Sequence, residues 1–146
     1  MTVADVLRNK GSRVITIRPD SSLAAAIQTL VQSGVGSLVV ADEKGTVVGL
    51  ITERDVLRAN AKHPDQLGHR SVAEVMTEDV IIGFVEDSLD YVMALMTEKR
   101  IRHLPIMNHG DLVGLVSIGD VVKAKVRDAE VQIRHLTDYI MGKYPS

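Results

Sequence analysis

The sequence predicts an α/β (α+β) fold: two pseudo-symmetric β-α-β-β-α repeats, residues 1–66 and 67–146, whose sheets pack together as one unit. Three observations predict it. Sliding the chain by 66 places Leu23 on Leu89, Ile27 on Met93, Leu30 on Met96 and Val35 on Ile101. One residue is lost in the turn after Glu43, and an offset of 65 then places Gly45 on Gly110 and Gly49 on Gly114. Finally, GLITERD (49–55) and GLVSIGD (114–120) both run Gly, two apolar residues, a hydroxyl, then a carboxylate three further on.

Each half opens on a short apolar segment, VADVL (3–7) or VAEVM (72–76), read as a leading helix. VITI (14–17) and VIIGFV (80–85) are β-branched runs, hence strands around Ile15 and Ile81. SLAAAIQTLVQSG has apolar residues at 23, 26, 27, 30 and 31, the helical spacing, with Ser22 as N-cap and Gly34 as stop. SLDYVMALMTEKR repeats that pattern after Ser88. SLVVAD (37–42) with TVVGLI (46–51), and HLPIM (103–107) with LVGLV (112–116), read as hairpins around EKG and NHGD. Helices start near Thr52 and Ser117. The second either runs on or breaks once before the helical segment VRDAEVQIRHLTDYIMG, apolar at 126, 133, 136 and 140. ANAKHPDQLGHRS, polar and carrying Pro64 and Gly68, reads as the linker. A half of this length buries only a modest core, which favours one joint unit over two independent beads.

The chain has 146 residues, about one ordinary domain. Its aromatics are Phe84, Tyr91, Tyr139 and Tyr144, so the core is aliphatic and base stacking on protein rings is poorly supplied. With a net charge of −2 and no basic block, the surface does not favour nucleic acid or an anionic membrane. Without cysteine, disulfides and thiolate metal sites are excluded, which fits a reducing compartment. MTVADVLRNK lacks the apolar centre of a signal peptide, and no apolar run reaches the roughly 20 residues of a membrane span. These features lead us to expect a cytoplasmic protein. The histidines show no HxH or HxxxH spacing, and no G-x-S-x-G elbow is present. Neither metal nor catalytic residues are therefore expected, and no enzyme.

Thr52-x-x-Asp55 and Ser117-x-x-Asp120 fit a capping box, and in an isolated copy capping alone would explain them. The same geometry places a hydroxyl and a carboxylate on one face of a helix start. A carboxylate accepts two hydrogen bonds from a vicinal diol such as a ribose. The helix N-terminus adds free N–H groups and partial positive charge for an anion. Gly49 and Gly114 leave out a side chain just ahead of it, which would let a ligand approach the backbone.

One such heptapeptide per half, on repeats of this order, with RIRHLPI (100–106) between, resembles the tandem CBS domain, named after cystathionine β-synthase; the pair is called a Bateman module. The resemblance spans nearly the whole chain. It implies a regulatory module that binds an adenine nucleotide (AMP, ADP or ATP, or a relative such as NAD or S-adenosylmethionine) between the repeats, as ligand and not as a required cofactor. Asp55 with Thr52 would serve one cleft, and Asp120 with Ser117 the other. Ile15 and Ile81 would contact the base, Val35 and Ile101 would wall its pocket, and Arg102 and His103 would meet phosphate. The first half has Gly36 and Ser37 where the second has Arg102 and His103, so the clefts are not equivalent. The resemblance further implies a homodimer formed through helices and an unknown regulated protein that receives the signal. The alternative is a protein–protein interaction module whose clefts are structural only.

Overall fold

The computed structural model describes residues 1–11 and 13–142. The first half runs α1 (Val3–Lys10), β1 (Thr16–Ile17), α2 (Leu23–Ser33), β2 (Ser37–Ala41), β3 (Val47–Thr52), α3 (Glu53–Lys62). After a 3-10 turn at Leu67–His69, the second runs α4 (Val72–Val75), β4 (Gly83–Phe84), α5 (Leu89–Lys99), β5 (His103–Asn108), β6 (Asp111–Ser117), α6 (Ile118–Ile140). Each half holds a three-stranded sheet, β1-β2-β3 or β4-β5-β6. In both, the first pair is parallel and the second antiparallel. The predicted mixed fold of two like halves is present.

Local chemistry explains the helix ends. Ser22 and Ser88 accept hydrogen bonds from the backbone N–H of Ala25 and Tyr91, satisfying donors that a helix start leaves free. α2 stops at Gly34 in the left-handed region (φ 64°). α5 stops the same way, but on Arg100 (φ 54°), a residue that gives no such signal in sequence.

The leading helices are exchanged. Val3, Val6 and Leu7 of α1 are buried in the core built by Leu89, Leu104 and Val116 of the second half. Val72 of α4 is buried with Leu23, Leu38 and Ile51 of the first. Backbone bonds fasten the exchange: Val3 N–H to the Asp87 carbonyl (2.9 Å) and Ala4 N–H to Val85 (3.0 Å), matched by Val72 N–H to Ser21 (2.8 Å) and Ala73 N–H to Pro19 (2.9 Å).

The first strand of each half is shorter than the sequence predicts. Of the runs at 14–17 and 80–85, only Thr16–Ile17 and Gly83–Phe84 form strands, so Ile15 and Ile81 precede the strands instead of lying in them. Each run reaches its own sheet from a helix packed on the other half, and the chain at or just beyond its far end is bonded to the incoming helix. The expected linker is also shorter, because Ala59–Lys62 continue α3. α6 is one unbroken helix of 23 residues.

β2 is buried along its whole length. Leu38 and Val40 join the first core, and alternation turns Ser37, Val39 and Ala41 to the opposite face, where they are buried too. His103 of the second half reaches that region: its Nε2 lies 3.7 Å from where a Cβ on Gly36 would be.

Candidate functional site

β3 and β6 each run straight into a helix, and the hydroxyl at each junction is the N-cap. The Thr52 N–H donates to Asp55 Oδ2 (2.9 Å), and the Asp55 N–H donates to Thr52 Oγ1 (3.2 Å). The Thr52 hydroxyl also donates to Asp55 Oδ2 (3.1 Å). In the second half the Ser117 N–H donates to Asp120 Oδ2 (2.8 Å) and the Asp120 N–H to Ser117 Oγ (3.1 Å). Both capping boxes are thus complete, and both use a single carboxylate oxygen. Among the described residues, Oδ1 of Asp55 and Oδ1 of Asp120 accept no hydrogen bond.

The start of the middle strand lies against each cap. Ser37 pairs with Thr52, and His103 pairs with Ser117. The next residue of each helix donates back across the junction, Glu53 N–H to the Gly36 carbonyl (3.0 Å) and Ile118 N–H to the Arg102 carbonyl (2.8 Å). Gly36 and Arg102 therefore hold matching places, as the 66-residue offset requires. The Ile15 carbonyl accepts from the Val39 N–H of β2 (3.3 Å). Ile15 and Val35 pack on the first core, Ile81 and Ile101 on the second. Val35 also lines a groove of about 510 Å³ between α2 and α3, with Leu30, Val31, Glu53, Val56 and Leu57. Asp55 is not part of that groove.

Arg102 is exposed and His103 half-buried. Burial holds the His103 imidazole below its usual range, and the charge of Lys10 pushes the same way; Glu53 and Asp120 oppose them, and Arg102 adds slightly. At neutral pH it is chiefly a neutral donor and acceptor, set between charged groups of both halves.

Sequence reasoning missed Lys10. It closes α1, and the exchange of leading helices carries it to the second site. Its ammonium donates to Asp120 Oδ2 (2.6 Å) and to the Leu115 carbonyl (2.7 Å). The contact spans 110 residues, and no local spacing signals it. Partial burial would raise the Asp120 carboxyl, but hydrogen bonds from Lys10 and Ser117 outweigh it and hold the group below the usual range. Asp55 has no ion pair among the described residues. Beside Asp120 lies a cavity of about 200 Å³, lined also by Val6, Asn9, Lys10, Lys123, Ala124 and Arg127.

The two glycines have a different role from the one expected. An ideal Cβ on Gly49 would lie 2.5 Å from Met76 Sδ and 3.0 Å from the Thr77 carbonyl oxygen; one on Gly114 would lie 2.6 Å from Leu7 Cδ2. They make room for the exchanged helices and the chain beside them, not for a ligand.

No helix among the described residues is long and apolar enough to cross a membrane. A mitochondrial CBS domain-containing protein of Arabidopsis thaliana is 34% identical over 98% of this chain and 73% of its own length. A CBS-domain protein of Agrobacterium tumefaciens has a solved structure that superposes with TM-score 0.83 at 40% identity, over 86% of this chain and 99% of that one. Two further solved structures carry ligands. The CBS-domain pair of protein MJ0100, in complex with 5-methylthioadenosine and S-adenosyl-L-methionine, is 26% identical with TM-score 0.78, over 88% of this chain and 98% of that one. CBSX2 in complex with AMP is 27% identical with TM-score 0.72, over the same two shares. The CBS domain profile itself matches twice, at residues 3–62 and 72–127, so the chain belongs to the CBS domain family and carries its domain as a tandem pair.

Proposed function

We infer that this chain is a regulatory module that binds an adenosine-containing ligand at the Thr52–Asp55 and Ser117–Asp120 junctions and signals occupancy to another protein. The observation that carries the reading is the division of labour within each carboxylate. Oδ2 completes the helix cap, and Oδ1 is left without a partner among the described residues. A ribose diol can donate to that oxygen without breaking the cap. Ile15, Val35, Ile81 and Ile101 supply apolar surface for the base, while Arg102 and His103 serve a phosphate from the inner strand. The adenosine compounds held by similar CBS pairs support the ligand class.

The sites differ in charge. The second has Lys10 on its carboxylate, so a ligand there meets an ammonium beside the ribose position, and the first does not. Calorimetric titration with adenosine, AMP, ADP, ATP and S-adenosylmethionine tests the reading. Micromolar binding corresponds to about −8 kcal/mol. Losing one charge-assisted bond costs about 1.5–3 kcal/mol, so Asp55→Asn or Asp120→Asn should weaken binding about ten- to a hundredfold. Unchanged affinity in both variants would sink the assignment.

Assembly as a homodimer belongs to the same reading. Val122, Val126, Ala129, Ile133, Leu136 and Ile140 follow one another at alternating steps of four and three along α6, the spacing of a helix-pairing seam. The seam is about 27 Å long at 1.5 Å per residue. Ile133, Leu136 and Ile140 are 65%, 61% and 74% exposed. An exposed apolar row of this kind is typical of an interaction surface. A second copy presents the same row and so can cover it along its whole length.

A further inference from the structure

We propose that the cavity between α1 and α6 is an anion site for a phosphate group, held by Lys10, Lys123 and Arg127. The lining residues 120, 123, 124 and 127 recur at helical spacing and form one stripe of α6 facing α1. Across from the stripe stand Val6, Asn9 and Lys10. Val6 and Ala124 give the cavity an apolar floor, and both are buried. Its rim carries the Asn9 amide, two ammonium groups and a guanidinium, with Asp120 as the one acid in the lining.

The charges do not balance. Asp120 is matched by Lys10. Lys123 and Arg127 line the same cavity and are in no ion pair among the described residues. Like charges four apart on a helix repel one another, and a concave wall focuses their field. Two uncompensated positive charges suit a phosphate, which carries about −1.5 to −2 near neutral pH. Arginine offers a planar fork to its oxygens and lysine a point charge. Lys10 has a third N–H to give, since its bonds to Leu115 and Asp120 occupy only two.

Size sets the ligand. At about 200 Å³ the cavity falls below the roughly 300–1,000 Å³ of pockets that enclose a small molecule. It therefore takes a phosphate or a pyrophosphate group, not a whole nucleoside. Asp120 lines it, so the group is either a free anion or the charged tail of a ligand whose sugar lies on that carboxylate. The site does not require the adenosine reading, because its cations and cavity stand without it.

The test uses the full chain and the double variant Lys123→Gln with Arg127→Gln, two exposed positions outside the capping boxes. Inorganic phosphate, pyrophosphate, adenosine, AMP and ATP are titrated calorimetrically at matched ionic strength, and folding of both proteins is checked by circular dichroism. The expected result is at least a tenfold loss of affinity for phosphate-bearing ligands in the double variant, with adenosine unchanged. If inorganic phosphate or pyrophosphate shows the loss, the site takes a free anion. If AMP and ATP alone show it, the site takes the tail of a nucleotide. If every ligand binds the variant as it binds the parent, or if no phosphate-bearing ligand binds the parent, the site does not exist.

Discussion

Leu7 fills the space that a side chain at Gly114 would need. An ideal Cβ there lies 2.6 Å from Leu7 Cδ2, closer than real contacts allow. Gly114→Ala should therefore force α1 away from β6 and cost about 1–3 kcal/mol, the usual range for overpacking. Gly49→Ala should cost at least as much, because the Thr77 carbonyl oxygen at 3.0 Å is backbone and cannot rotate aside. Urea unfolding midpoints measure both. Pairing Leu7→Ala with Gly114→Ala should recover part of the loss, since the two changes share one contact.

The caps set a second expectation. Thr52→Ala and Ser117→Ala each remove the acceptor for a helix N–H, and each should lower stability by about 0.5–2 kcal/mol. Exchanging Thr52 for Ser keeps the oxygen and should restore most of the loss. Denaturant titration of the three variants decides it.

Acid should weaken the fold in two windows. The His103 imidazole is held below 6.5 by burial first, so the folded state takes up its proton later than the unfolded chain. Its contribution is present in full above that value and is lost as pH falls through the lowered folded one. The Asp120 carboxyl lies below 3.8: burial raises it, and the bonds from Lys10 and Ser117 overcome that. Its contribution is present above about pH 4 and disappears as pH drops through the folded value. In unfolding free energy followed against pH, His103→Gln should flatten the upper window and Asp120→Asn the lower. A curve with both windows intact in each variant would contradict these assignments.

A charge in the α6 seam should separate the proposed homodimer. Ile133→Glu and Leu136→Glu place carboxylates on the exposed apolar row without touching either core. Sedimentation velocity should show the parent as a dimer and both variants as monomers with unchanged circular dichroism. A monomeric parent would overturn the homodimer.

What the sequence reveals here is whatever repeats or is local. Leu23 on Leu89 and Gly45 on Gly110 locate both halves, and the serines before α2 and α5 mark the helix starts correctly. Thr52 with Asp55 and Ser117 with Asp120 are legible because hydroxyl, acid and spacing all lie within four residues. The exchange of α1 and α4 is not legible. A short amphipathic helix such as VADVLRNK fits either core by pattern, and only three-dimensional packing chooses. The same blindness hides Lys10 and misassigns Gly49 and Gly114, whose close neighbours come from the other half of the chain. Arg100 escapes for a different reason: its left-handed backbone is imposed by the helix end, not by its side chain.

The exchanged leading helices make the two repeats hostages of one another. A gene fragment encoding either repeat alone would leave a hydrophobic trench open where the missing helix belongs, and should yield an insoluble or unfolded product. Cutting the connection near Pro64 after folding should have the opposite effect, since both pieces stay clasped. An insertion or graft in this chain has to respect a boundary that runs through space and not along the polypeptide.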